Sequence, residues 1–305
     1  MKRLEFHISY ICNHNCIFCS EYDRLKKYKY NPLTIFQIKT ILLDRRKKWF
    51  NHVNFTGWEA TIVPSFLDLL KFTKKLWYKI YVWTNWTMLA SEKFTKDALK
   101  YIDELSLSIH WFDEKSCKKQ TWLKSHFNIY NNYIVKNINK YYKEDKNFLF
   151  SNIVINKYNY KDSLNIIKFI KDSYPWVKQV LISNIAPEGL ADKNFWDLVF
   201  DLFDFKEYIS DIVEYCNKNN LVLRFFWLPT CILWDKYYNY SNDEHWEERH
   251  TIERFTSSEW KILLKDIYSP DNSRKRTFID KCNWCKWKKN PCTWIFAKYL
   301  DYYNE

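Results

Sequence analysis

Three cysteines stand close together near the N-terminus, in the segment Cys-Asn-His-Asn-Cys-Ile-Phe-Cys that contains Cys12, Cys16 and Cys19. Cysteine thiolates hold iron–sulfur clusters, and three of them on one loop can bind three irons of a 4Fe-4S cluster. The fourth iron would then stay open to bind another molecule. Zinc is the alternative, but structural zinc has four closed ligands, and the candidate fourth ligand, His14, lies inside the loop, where binding would strain it.

A second group of cysteines lies near the C-terminus and consists of Cys282, Cys285 and Cys292. Three thiols this close predict metal binding, and a closed site needs a fourth ligand. We choose Cys231, because it follows a predicted strand in an otherwise irregular stretch. Two histidines are the alternatives and would favour zinc: His245 and His250. The remaining isolated cysteines, Cys117 and Cys216, are expected to be ordinary buried thiols.

The elements that must position the first cysteines alternate between short β-branched or aromatic runs and longer amphipathic runs. This pattern predicts repeated βα units and a parallel sheet. The predicted strands are Arg3–Ile11, His52–Thr56, Lys79–Thr84, Glu104–Ile109, Phe148–Asn156 and Val177–Ser183. The predicted helices are Thr34–Lys48, Pro64–Leu76, Ser91–Tyr101, His126–Tyr142 and Asp162–Ser173. Periodicity alone leaves a partial barrel, a complete barrel and an open doubly wound sheet as alternatives.

The regular alternation of strand and helix patterns ends after Gly189. A predicted helix (Lys206–Asn219) and a predicted strand (Leu221–Phe226) then precede an irregular, charged stretch. We therefore predict a core domain over residues 1–200 and a C-terminal extension over residues 201–305. Nine cysteines favour metal or redox chemistry over disulfides, because we expect a cytoplasmic protein with no signal peptide and no membrane span. The net charge of +12 keeps a nucleic-acid partner as an alternative.

At Cys12, Cys16 and Cys19 the sequence resembles the radical S-adenosylmethionine (SAM, AdoMet) superfamily, whose signature is Cys-x-x-x-Cys-x-x-Cys after the first strand. The resemblance implies an α/β fold, a (β/α)6 partial TIM barrel, with a 4Fe-4S cluster on these three residues and AdoMet on the open iron. In the family, the residue before the third cysteine lies beside the adenine, and here it is Phe18.

Further family motifs follow in order at the predicted strand ends. Thr56-Gly57-Trp58-Glu59-Ala60 is similar to the Gly-Gly-Glu-Pro motif that binds the methionine amino group, and it matches at Gly57 and Glu59. It departs from that motif at Trp58 and Ala60. The segments around Thr84-Asn85 and Ser108 resemble the motifs that end the third and fourth strands. By the same resemblance, these residues border the AdoMet pocket: Thr84, Asn85 and Ser108, with Asn156 facing the ribose.

The resemblance implies an enzyme that reductively cleaves AdoMet and uses a 5'-deoxyadenosyl radical to abstract hydrogen, with no catalytic residue beyond the cluster ligands. It also implies an electron donor such as flavodoxin or ferredoxin and an unknown substrate, with peptide or cofactor maturation as the suggested role. The C-terminal cysteines resemble extensions that hold an auxiliary iron–sulfur cluster, with zinc as the alternative. A non-enzymatic iron–sulfur or zinc protein and an RNA-modifying radical SAM enzyme are the rival functions.

Glycine is scarce in this chain, which has 2 glycines and 16 tryptophans. Average composition would give about 20 glycines in a chain of this length. Several tryptophans stand where a family motif or a helix end would have glycine: Trp49, Trp58, Trp77, Trp86, Trp111 and Trp294. We therefore predict that many printed tryptophans are glycines in the native protein, encoded by UGA codons that are recoded to glycine.

Overall fold

The main sheet has seven parallel strands, and each strand pairs with the next one in the chain. The computed structural model describes residues 2–23, 33–121, 126–241, 252–256, 262–266, 275–286, 292 and 294–303. The strands are β1 (Arg3–Ser9), β2 (His52–Gly57), β3 (Lys79–Thr84), β4 (Glu104–Ser108), β5 (Phe148–Ile155), β6 (Gln179–Asn184) and β7 (Val222–Phe226). The predicted α/β class is confirmed, and the seven-strand order is consistent with a partial barrel.

Helices connect successive strands, as parallel pairing requires. They are α1 (Ile35–Lys47), α2 (Phe66–Lys75), α3 (Glu92–Ala98), α4 (Glu114–Thr121), α5 (His126–Ile129), α6 (Val135–Tyr141), α7 (Ser163–Ser173), α8 (Gly189–Lys193), α9 (Phe195–Leu198), α10 (Lys206–Lys218), α11 (Thr230–Tyr237) and α12 (Tyr299–Tyr303). A π-helical segment, Tyr130–Ile134, joins α5 to α6. The predicted segment Leu221–Phe226 forms β7, so the sheet continues past residue 200.

The first helix shows how local sequence sets the element ends. Thr34 caps α1 through a capping box with Gln37, which satisfies amide groups that have no partner inside the helix. The buried positions Ile38, Ile41 and Leu42 recur at helical spacing and face the core. Three basic residues in the last turn complement the negative end of the helix dipole.

Two tryptophans end helices in a backbone conformation that glycine favours. Trp49 follows α1 with φ 69° and Trp77 follows α2 with φ 61°. Both helix ends have the pair of backbone hydrogen bonds that defines a Schellman motif. After α2, the Tyr78 amide donates to the Thr73 carbonyl at 3.5 Å. The Trp77 amide donates to the Lys74 carbonyl at 2.9 Å. These two side chains are 78% and 83% exposed, so tertiary packing does not explain the choice of tryptophan.

Three more tryptophans adopt positive φ angles among the described residues: Trp86 (67°), Trp227 (59°) and Trp294 (59°). Left-handed backbone costs a residue with a Cβ roughly 1–2 kcal/mol, and bulky residues rarely adopt it. The glycine hypothesis expects such positive φ angles at Trp49, Trp77, Trp86 and Trp294. Trp227 has the same conformation and becomes a further candidate for a recoded glycine. Trp58 and Trp111 do not have positive φ and rest on the motif comparison alone.

The C-terminal part adds short strands and one helix to the core. β8 (Ile252–Thr256) pairs antiparallel with β9 (Ile262–Asp266), and β10 (Arg276–Thr277) with β11 (Ile295–Phe296). Tyr299 of α12 is fully buried in the main core, and its hydroxyl lies 3.2 Å from Oδ1 of Asn184 at the end of β6. None of the helices that the structure describes is long and apolar enough to span a membrane.

Candidate functional site

The three N-terminal cysteines lie on the loop that follows β1, at the carboxyl edge of the parallel sheet. Ligand and active sites of α/β proteins are built at this edge. Cys12, Cys16 and Cys19 line one cavity of about 280 Å³. The Cys19 amide donates to the Cys16 carbonyl at 3.1 Å, which closes a tight turn between these two thiols. The structure therefore brings the three predicted ligands together around a single space.

Two N–H groups point at the sulfur of Cys12. The His14 backbone amide lies 3.3 Å from Cys12 Sγ, and Nδ2 of Asn85 lies 3.4 Å from it. Burial raises the pKa of Cys12 to about 11 and that of Cys19 to about 12. Without a metal, the thiols are therefore protonated at neutral pH, and metal binding must release these protons. The donors fit a thiolate-bound cluster, since hydrogen bonds to the sulfurs tune such clusters.

Glu59 joins the ends of β2 and β3 beside this loop. Its fully buried carboxylate accepts hydrogen bonds from the Asn85 amide at 2.5 Å and the Thr84 hydroxyl at 2.7 Å. It also accepts from the amide and hydroxyl of Thr61. Burial raises the pKa of Glu59, and these hydrogen bonds oppose the rise. The carboxylate thus fixes the Asn85 backbone, while the Asn85 side chain reaches Cys12.

The cavity wall next to the cysteines is formed by Trp58 rather than by Glu59. The Trp58 indole Nε1 is buried and has no hydrogen-bond partner among the residues that the structure describes. The preceding residue, Gly57, has φ 108°, a conformation that only glycine adopts readily. A backbone bend at Gly57 therefore aims the large Trp58 side chain at the space beside the three thiols.

The remaining predicted pocket residues lie around the same edge but do not line the cavity of the cysteines. Phe18 is buried against Ile185, Ala191 and Leu198, and the Ser108 carbonyl accepts from the indole of Trp86 at 3.0 Å. Asn156 is fully buried, and its side chain pairs with that of Gln120 at 3.0 Å. Their predicted contacts with AdoMet remain predictions.

Sequence reasoning missed three residues that hold the cysteine loop. The Gln120 carbonyl accepts from the Ile17 amide at 3.1 Å, the side chain of Asn194 donates to the Ile17 carbonyl at 2.9 Å, and the Leu190 amide donates to the Cys19 carbonyl at 2.8 Å. All three are distant in sequence from the loop. They carry no recognisable motif, so only the folded chain identifies them.

The four C-terminal candidates also share one cavity, which Cys231, Cys282, Cys285 and Cys292 line together. Burial, together with the nearby thiols of the three other cysteines, raises the pKa of Cys231 to about 12. Cys231 lies in the first turn of α11 and not in an irregular stretch as predicted. The alternative ligands, His245 and His250, lie outside the described residues.

Within the described ranges, no group of three or more His, Cys, Asp or Glu side chains is placed to hold a single metal ion. A four-iron cubane is larger than one ion and spreads its ligands more widely. The two isolated cysteines, Cys117 and Cys216, are 1% and 0% exposed, which agrees with the prediction of buried thiols.

Comparisons with known proteins identify the same fold. SuiB of Streptococcus suis bound to S-adenosylmethionine aligns with a TM-score of 0.64 and 16% identity over 99% of this chain and 74% of SuiB. SuiB bound to its precursor peptide SuiA aligns with a TM-score of 0.55 and 20% identity over 73% of this chain. In that alignment the chain spans about half (48%) of the length of SuiB. No curated protein matches the sequence significantly.

A second solved structure, anSMEcpe with bound AdoMet and the Kp18Cys peptide, aligns with a TM-score of 0.64 and 14% identity over 99% of this chain and 95% of that one. At such identities these alignments show the fold alone. The sequence model of the Radical SAM superfamily matches residues 6–170, which contain the three cysteines, the end of β1 and the strands β2 to β5. Because this match covers more than half of the 305 residues, the protein belongs to the radical SAM superfamily.

Proposed function

We propose that the chain holds a 4Fe-4S cluster on Cys12, Cys16 and Cys19 and cleaves AdoMet reductively. The observation that carries this proposal is the convergence of the three thiols on one cavity at the carboxyl edge of the sheet. When bound, such a cluster supplies one electron that breaks a carbon–sulfur bond of AdoMet, giving methionine and a 5'-deoxyadenosyl radical that abstracts hydrogen. The protein supplies ligation, orientation and exclusion of water.

The residues around the cavity have separable tasks in this proposal. Asn85 and the His14 amide donate to Cys12 Sγ and stabilise its thiolate form. Glu59 fixes the backbone at Asn85 through its carboxylate. Its proposed contact with the ammonium of AdoMet is kept from the family resemblance. The family resemblance is the basis for placing four further residues around AdoMet: Phe18, Thr84, Ser108 and Asn156.

The experiment is anaerobic reconstitution with iron and sulfide, followed by reduction with AdoMet present. Cys16→Ala should abolish 5'-deoxyadenosine formation and the spectral contribution of the N-terminal cluster, because three thiolates are the minimum that this site offers. Cys216→Ala is the matched control, since Cys216 is a buried thiol outside the cavity. Equal cleavage by Cys16→Ala and the unsubstituted protein would refute the ligand assignment.

We further propose an auxiliary 4Fe-4S cluster on Cys231, Cys282, Cys285 and Cys292, in the extension over residues 201–305. Four thiols on one cavity provide the closed ligand set that such a cluster needs. Reconstituted protein should then contain about eight irons per chain, from two clusters of four. About four irons with one stoichiometric zinc would instead assign the second site to zinc.

A peptide substrate is the favoured class, with an external donor such as flavodoxin or ferredoxin supplying the electron. The support is that two relatives of the same fold were solved with peptides, SuiB with its precursor peptide SuiA and anSMEcpe with the Kp18Cys peptide. Substrate-dependent 5'-deoxyadenosine above the uncoupled rate, measured across candidate peptides and RNAs, tests this class. Stimulation by RNA alone would favour the RNA-modifying alternative.

A further inference from the structure

The short helix α8 lies against the loop that carries the three cysteines. Its Leu190 amide donates to the Cys19 carbonyl at 2.8 Å, and Asn194, just after the helix, donates from Nδ2 to the Ile17 carbonyl at 2.9 Å. Lys193 forms an ion pair with Asp23 beyond the cysteines. Three contacts thus connect one helix to the segment from Ile17 to Asp23.

Gly189, the first residue of α8, makes the closest approach. A Cβ at this position would lie 2.6 Å from the Ser20 carbonyl oxygen and 2.7 Å from the Cys19 carbonyl oxygen. Both neighbours are backbone atoms, so no side chain can rotate away. Gly189 also has φ 57°, which disfavours any residue with a Cβ. Larger residues would therefore push α8 and the Cys19 peptide apart.

The C-terminal part also contacts α8. Lys298 donates from Nζ to the Asp192 carbonyl at 2.9 Å and pairs with the Asp192 carboxylate. Asp192 lies within α8, so this lysine connects the segment after β11 to the helix that contacts Cys19. The cysteine loop is therefore held in place by a helix that the C-terminal segment itself holds.

We propose that Gly189 and Asn194 are positioning residues for the cluster, acting through the Cys19 and Ile17 backbone. The inference rests on the proposed cluster at Cys12, Cys16 and Cys19. Gly189 permits the close contact that places the Leu190 amide on the Cys19 carbonyl, and Asn194 fixes the loop between Cys16 and Cys19. Neither residue touches the cavity, so their effect is on the geometry of the third ligand.

The test compares Gly189→Ala and Asn194→Ala with Asn220→Ala after anaerobic reconstitution. Asn220 has φ 53° at the end of α10 and does not line the cavity of Cys12, Cys16 and Cys19, so its substitution places alanine in a similarly strained backbone outside the site. The measurements are iron per chain, the EPR spectrum of the reduced cluster and the melting temperature of the metal-free protein. We expect Gly189→Ala to lose half or more of the N-terminal cluster and Asn194→Ala to change its EPR spectrum.

Asn220→Ala should lower the melting temperature but keep iron content and EPR spectrum. Unchanged iron and spectrum in both Gly189→Ala and Asn194→Ala would overturn the inference while leaving the proposed function intact. If Gly189→Ala does not fold, Asn194→Ala decides, because it removes one hydrogen bond without adding atoms. An unsubstituted protein that assembles no N-terminal cluster would instead refute the proposed function.

Discussion

The side-chain nitrogen of Asn85 lies 3.4 Å from the sulfur of Cys12, although the two residues are 73 positions apart in the chain. The same Nδ2 lies 2.8 Å from Oδ1 of Asn13, so the donor is held in place. Hydrogen bonds to cluster sulfurs stabilise added negative charge and raise the reduction potential. Asn85 should therefore set the ease with which the proposed cluster accepts its electron.

Replacement of Asn85 by alanine should lower the reduction potential of the cluster while preserving its iron content. The substitution removes one N–H donor to Cys12 but leaves the three thiols in place. Anaerobic redox titration monitored by EPR measures the potential. Asn139→Ala is the control, since Asn139 is an exposed residue that donates to the Ser173 carbonyl. An unchanged potential in Asn85→Ala would mean that this contact is absent in the cluster-bound protein.

Replacement of Trp58 by glycine should tighten AdoMet binding by about tenfold or more. The indole lines the cavity beside the three thiols, so its removal frees space for the ligand. Equilibrium binding of AdoMet to the reconstituted protein gives the comparison. Trp77→Gly, at an exposed helix end, should leave the affinity unchanged. Equal affinity in Trp58→Gly and the unsubstituted protein would show that the indole does not occupy the AdoMet site.

Glycine in place of Trp49 or Trp77 should stabilise the protein by about 1 kcal/mol each, because left-handed backbone is strained in residues with a Cβ. Urea unfolding of the metal-free protein measures the change. Trp196 is the control: it is 58% exposed inside α9, where glycine should destabilise by roughly 1 kcal/mol. UGG codons at Trp49 and Trp77 would end the recoding hypothesis, whereas UGA codons would support it.

Acid should destabilise the amino-terminal edge of the sheet through Glu104. Burial alone would raise its pKa, but hydrogen bonds from His52 and Lys79 outweigh burial and lower the pKa to about 2. Lys79 Nζ lies 2.5 Å and His52 Nε2 3.4 Å from the carboxylate. Because the folded pKa lies below the unfolded value, this stabilisation is present above pH 4.5 and is lost as the pH falls towards 2.

Glu104→Gln tests this contribution, which should be on the order of 2 kcal/mol at neutral pH. The variant should be less stable than the unsubstituted protein at pH 6 but should lose less stability between pH 4.5 and pH 2. Unfolding of the metal-free protein across this range gives both values. Parallel pH profiles for the two proteins would show that Glu104 has an ordinary pKa.

The sequence predicted the sheet well because the signals of its strands are local. The strand prediction Lys79–Thr84 matches β3 at both ends, since a β-branched and aromatic run marks it. The short helices α8 and α11 were missed, because their few residues show no helical periodicity. The hydrogen bonds that Leu190, Asn194 and Gln120 form with the cysteine loop were also not predicted. They join segments that are distant in the sequence and meet only in the folded chain.

The positive φ angles illustrate a further limit of sequence reasoning. The low glycine content and the alignment with family motifs suggested that both Trp86 and Trp111 stand at glycine positions. They could not show that Trp86 has a φ of 67° whereas Trp111 has no positive φ. Both side chains are almost fully buried and pack edge-to-face with ring centroids 5.8 Å apart. The backbone conformation distinguishes them, and it depends on how each turn closes against the rest of the fold.

The most direct measurement of the central claim is the formation of 5'-deoxyadenosine by reduced, reconstituted protein with AdoMet under strict anaerobiosis. It should be made on the chain as printed and on a chain with glycine at Trp49, Trp58, Trp77, Trp86, Trp111, Trp227 and Trp294. We predict 5'-deoxyadenosine and methionine in equal amounts from the glycine-containing chain, and none from its Cys16→Ala variant. A fully reconstituted, reduced, glycine-containing chain that binds AdoMet and leaves it uncleaved would contradict the account.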